Sequence, residues 1–132
     1  MIILSRIALP VALTKGDTGL YLSANTAKFS SDYRAAASLY TSLWQKDTLN
    51  LDYAVDSLIF SVASGQVKQA VGIAEQALNL GLDSPLFGLV LIIDSFKRRE
   101  LKAADKLLKR YREDLPTVAF WVFSGWAKSD FE

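Results

Sequence analysis

The sequence predicts an all-α chain made of antiparallel helix hairpins laid side by side. Three observations predict it. From position 17 to about 128, apolar residues recur at helical spacing with almost no strand-like alternation. Short polar breaks cut this stretch into segments of about 12–16 residues, the length of helices joined by turns. A copy of the chain shifted so that Ala36 falls on Ala70, and Ala70 on Ala104, brings like residues into register. With 132 residues and 51% hydrophobic content, the chain can form one domain or one short array with a packed core.

The helices are expected over 17–29, 32–46, 50–64, 66–80, 84–98, 100–113 and 116–128. The first has Asp17 at its start, where the helix dipole favours negative charge, and it stops at SSD (30–32). The second runs to KDTLN (46–50), and the third, with Asp52 near its start, to SGQ (64–66). The fourth ends at NLGLDSP (79–85), which contains one of only three prolines. The fifth opens with the apolar run PLFGLVLIID at 85–94. That run is too short to span a membrane and is closed by Asp94, Lys97, Arg98 and Arg99. The sixth runs to EDLPT (113–117), and the seventh is the aromatic TVAFWVFSGWAK. Residues 1–16 form an apolar N-terminal tail or the remnant of a leader. Arg6 divides its apolar run.

This register has a physical reason. Ala36, Ala70 and Ala104 align, followed by Tyr40, Ala74 and Leu108, then Leu43, Ala77 and Tyr111. Tyr33, Val67 and Leu101 form an earlier column. Ala27, Ser61 and Ser95 form a small-residue column, Leu20, Ala54 and Gly88 a looser one, and Ser31, Gly65 and Arg99 a turn column. A small residue at a fixed place lets two helices approach closely, and the larger residue a turn later fills the groove. One hairpin cannot bury its own apolar face, so stacked neighbours must complete the core. The outward positions are polar: Arg34, Ser38, Thr41 and Gln45, then Lys68, Gln69, Glu75, Gln76 and Asn79, then Lys102, Lys106, Lys109, Arg110 and Glu113.

Three stretches carry the pattern best: SDYRAAASLYTSLWQKD (31–47), GQVKQAVGIAEQALNL (65–80) and RELKAADKLLKRY (99–111), with Pro116 closing the last. The period, the helix–turn–helix unit and these motifs resemble the tetratricopeptide repeat, with degenerate first helices. GDTGLYLSANTAKFSSDYRAAASLY also resembles the N-terminal part of longer bacterial proteins of this kind. The resemblance covers 17–132, as units of about 17–50, 51–84 and 85–118 and a partial unit 119–132. It implies a right-handed superhelix of about three and a half repeats. It also implies a scaffold or adaptor that binds a partner helix or peptide on its concave face, and no catalysis. The concave positions would be Tyr21, Asn25, Lys28, Asp52, Val55, Ile59, Val62, Leu86, Leu89, Ile93 and Phe96. Asn25 and Lys28 are the one hint of a pair that holds a terminal carboxylate. The other reading of these positions is core, or a surface covered by the N-terminal tail.

Two further surfaces stand out. Phe120, Trp121, Phe123 and Trp126 put large apolar area on more than one helix face, which suits self-association or a covering element. Residues 97–112 form a basic helical stretch, the basis of an alternative function: contact with nucleic acid or an acidic partner. Only Tyr111 is interleaved as a stacking ring, and Glu100–Lys97 and Asp105–Lys109 are spaced as ion pairs.

Chemistry is sparse. The chain has no cysteine and no histidine, so disulfides, thiolate ligands, a cysteine nucleophile and an imidazole base are all excluded. Net charge is +1, so the chain as a whole is no polycation. No phosphate-binding glycine motif occurs. Asp52 and Asp56 lie one helical turn apart, but two carboxylates fall short of the roughly six oxygens a hard cation wants. The expectation is therefore no enzyme, no metal and no cofactor, with a protein or peptide as partner. Localisation is expected to be cytoplasmic by default, and periplasmic or secreted if residues 1–13 belong to a leader.

Overall fold

The computed structural model describes residues 17–116 and 123–125. Among them lie six helices and no strand: α1 (Asp17–Phe29), α2 (Tyr33–Lys46), α3 (Leu51–Ala63), α4 (Val67–Asn79), α5 (Pro85–Lys97) and α6 (Leu101–Arg110). Residues 123–125 are helical as well. The tail 1–16 and most of the expected seventh helix lie outside the described residues. The chain divides into two compact units, one ending at Gln66 and the other beginning at Val67. In the first, α2 packs against both α1 and α3. In the second, α5 packs against both α4 and α6. Each is a sequential helix array of the expected all-α kind.

The turns after α1, α3 and α5 repeat one geometry. Ser31, Gly65 and Arg99 all have left-handed backbones, with φ of 61°, 81° and 59°. The next residue in each case donates its N–H five residues back: Asp32 to Ala27 O (2.9 Å), Gln66 to Ser61 O (2.7 Å) and Glu100 to Ser95 O (2.9 Å). The turn residue itself donates three back, to Lys28, Val62 and Phe96. These paired bonds form a Schellman closure, which satisfies the last carbonyls of the helix. The three acceptors are the buried small residues of one sequence column. The backbone thus recurs at these three helix ends where the side chains have diverged, and Gly81 (φ 85°) closes α4 in the same way, with Leu82 donating to Ala77 O (3.0 Å) and Gly81 to Leu78 O (3.0 Å).

Other ends are closed individually. The Asp32 carboxylate caps α2 by accepting the Ala35 N–H (3.1 Å), and Asn50 caps α3 by accepting that of Tyr53 (3.2 Å). Ser84 caps α5 ahead of Pro85, which suits a first helical position. The buried Trp44 indole donates to Thr48 O (3.0 Å) and so closes the α2–α3 turn.

Ala36, Ala70 and Ala104 are fully buried, as are the two columns that follow them. In the first unit Ala24, Ala27, Ala36, Ala37, Tyr40, Leu43 and Phe60 form one cluster. Phe60 stacks on Tyr40 (5.6 Å between centroids) and on Tyr33 (5.9 Å). In the second, Ile92, Leu108, Tyr111 and Leu115 form the cluster, with Leu89, Phe96, Leu107 and Phe123 against it.

Tyr33 and Val67 are exposed at the first position of their helices. Two expectations need correction. Thr41 does not face outward: it donates to Ala37 O (2.7 Å) and shares a hydrogen bond with Ser57, at the meeting of α2 and α3. α6 stops at Arg110, before the expected 113. Tyr111 is buried there with its hydroxyl on Asp83 (2.8 Å), and the N–H groups of Asp114 and Leu115 both turn back to Tyr111 O.

A Cβ at Gly88 would fall on the Tyr111 ring, which its Asp83 bond holds in place. Gly88→Ala is therefore expected to lower stability by about 1–3 kcal/mol, as overpacking does. Arg99→Gly relieves a left-handed backbone and should raise stability by about 0.5–1 kcal/mol after the entropy of glycine is counted. Urea denaturation of both variants checks the pair. A neutral Gly88→Ala or a destabilised Arg99→Gly would contradict the packing and turn assignments.

Candidate docking face

In the first unit, Tyr21, Asn25 and Lys28 lie four and three residues apart on α1, hence on one face. Of the three, Tyr21 meets the exposed side of α3. Tyr21 reaches Tyr53 across this meeting, with ring centroids 6.3 Å apart and planes tilted by 46°. Here a cleft of about 450 Å³ is lined by Tyr21, Asn50, Asp52, Tyr53, Val55 and Asp56. Three of the residues nominated from sequence, Tyr21, Asp52 and Val55, thus share one cleft.

Asn25 and Lys28 border it and already have partners. The Tyr40 hydroxyl donates to Asn25 Oδ1 (2.8 Å), and the Lys28 ammonium stands 5.9 Å from the centre of the Phe60 ring. That arrangement turns the hinted carboxylate-holding pair toward the protein itself. Ile59 and Val62 continue along α3 and are 39% and 44% exposed. This apolar strip is open, not core.

The electrostatics follow from burial. Asp56 is half-buried, and burial holds its carboxyl above the usual carboxylate range; Lys28 opposes the shift and Asp52 adds to it. Asp56 makes no hydrogen bond or ion pair among the described residues. The Tyr40 phenol is pushed up to about 12, chiefly by burial and then by Asp56, so it stays a neutral donor at physiological pH.

In the second unit, Leu86, Leu89 and Ile93 lie along α5, with Ile93 49% exposed. Leu89 and Phe96 pack on the local core, and Phe96 stacks on Phe123 (5.7 Å), so these two serve the interior. Phe120, Trp121 and Trp126, named for self-association, lie outside the described residues. A second cleft of about 500 Å³ opens between α4 (Val67, Lys68, Val71, Gly72, Glu75) and α5 (Asp94, Lys97, Arg98). No sequence signal marked it.

The basic stretch is partly neutralised. Arg98 pairs with Asp94 (3.0 Å), Lys109 with Asp105 (2.9 Å) and Arg110 with Asp83 (3.6 Å). The expected Lys97–Glu100 pair does not form, because the left-handed turn at Arg99 separates the two.

Sequence reasoning missed Tyr53 as a wall of the cleft. Asp56 it had noted only for its spacing from Asp52. Among the described residues no group of three or more acidic, histidine or cysteine side chains could hold a metal ion, and no helix is long and apolar enough to cross a membrane. No protein-family model matches the chain, and no curated protein sequence matches it.

The Asp56 carboxyl ionises less readily folded than unfolded. The folded state therefore holds the proton more tightly, and the stability this contributes is lost as pH rises through the raised folded value. Asp56→Asn should melt higher than the parent at pH 7, with the advantage vanishing near pH 3 once both states are protonated. Thermal melts across that range check it. Destabilisation by Asp56→Asn at pH 7 would mean the carboxylate has a partner that holds it.

Proposed function

We propose that this chain is a tetratricopeptide-like interaction module, an adaptor that holds a partner peptide or helix on the face shared by α1 and α3. One observation carries the reading. Ile59 and Val62 are exposed beside a preformed polar cleft, while the opposite side of the same helix, through Ala54, Ser57, Leu58 and Ser61, is fully buried. A helix that has already buried one side and still offers branched apolar residues in a row fits a surface kept for a partner. The repeated turns and the alanine columns support the family resemblance. The absence of histidine and cysteine from the whole chain favours a binding role over a catalytic one.

Peptides selected for binding the full chain from a random display library test this. Ile59→Asp with Val62→Asp should weaken them at least tenfold while far-UV circular dichroism stays helical. Lys106→Glu with Lys109→Glu should leave them unchanged. The reverse pattern, with binding that falls steeply with salt, would move the site to the basic stretch and overturn the proposal.

A further inference from the structure

We infer that the cleft between Tyr21 and Tyr53 is a subsite for one arginine or lysine side chain of the docked peptide, an inference that rests on the docking reading above. Its walls select the ligand chemistry. Two phenol rings and Val55 offer surface for a methylene stem, and Asp52 and Asp56 stand one helical turn apart. A cationic side chain uses both at once: its stem lies on the rings, its head meets the carboxylates, and the ring faces attract the charge.

Competing occupants fit worse. An anion would face two carboxylates. A bare divalent cation would find two carboxylates where about six oxygens are wanted. An apolar side chain would bury Asp56 further without a partner. The helix dipole accounts for Asp52, which lies in the first turn of α3, but not for Asp56, the sixth residue of that helix. Lys28 does not supply the missing counter-charge by contact, since its ammonium is seated over Phe60 and forms no ion pair with Asp56.

The apolar strip then sets the spacing of the ligand. Ile59 and Val62 lie three and six residues beyond Asp56. At about 1.5 Å per helical residue that is roughly 4.5–9 Å along α3. An extended peptide covers this distance in about one to three residues at about 3.3 Å each. The recognised sequence is therefore a basic residue with apolar side chains within three positions of it.

Two labelled peptides test the subsite on the full chain by fluorescence anisotropy: acetyl-Gly-Ser-Arg-Leu-Ala-Leu-Gly-amide, and the same peptide with neutral citrulline in place of arginine. The arginine peptide should bind at least tenfold tighter. Asp52→Asn with Asp56→Asn should abolish that preference, so that the two peptides bind alike, and leave the helicity unchanged. Equal binding of both peptides, with both lost in Ile59→Asp, overturns the cationic subsite and leaves the docking face standing. Binding of neither overturns the subsite, while the docking face is judged by the library selection. A preference that survives removal of both carboxylates also overturns it.

Discussion

Everything in this fold depends on how closely neighbouring helices can approach. Ala36, Ala70 and Ala104 are completely buried, and each is the fourth residue of its helix. A methyl side chain there allows tight packing, and a larger residue one turn later fills the groove after Ala36 and Ala104, where Tyr40 and Leu108 stand; after Ala70 the place is held by Ala74. In the first unit that filler is Tyr40. Its ring stacks on Phe60 of α3 while its hydroxyl reaches Asn25 of α1, so one side chain ties all three helices. Tyr111 plays a related part in the second unit. It covers Gly88 of α5 and anchors to Asp83 at the head of that helix.

This packing also leaves open the face proposed for a partner. Because α2 takes up one side of α1 and of α3, the other side of each is left to solvent. Tyr21, Asp52 and Ile59 are exposed there for the same reason that Ala24, Ala54 and Leu58 are buried. Asp56 sits at the boundary between the two sides. It is covered enough for its charge to be costly, and open enough to meet a ligand.

Much of this was legible in the sequence, because it arises from constraints that recur. At Ser31, Gly65 and Arg99 the hairpin turn demands the same backbone, and the small residue before each turn must be buried. The columns therefore survive even where the turn residue is not glycine. The helix bounds followed from the polar breaks. What stayed hidden depends on single contacts. Thr41 looks like an outward polar residue until Ser57 is found opposite it, and α6 looks longer until Tyr111 is seen bonded to Asp83. Tyr53 reads as an ordinary helical aromatic, and only the approach of Tyr21 makes it the wall of a cleft. The cleft between α4 and α5 joins residues well separated in the chain through side-chain shape alone, which periodicity does not encode.

The most direct test of the account is to enlarge the alanine column one site at a time and measure unfolding free energy. Ala36→Leu, Ala70→Leu and Ala104→Leu are expected to destabilise by similar amounts, about 1–3 kcal/mol each or more. The exposed neighbour Ala103→Leu, on the same helix as Ala104, should change little. A buried-column variant tolerated as well as Ala103→Leu would show that the three positions are not equivalent, and the repeating close approach would be refuted.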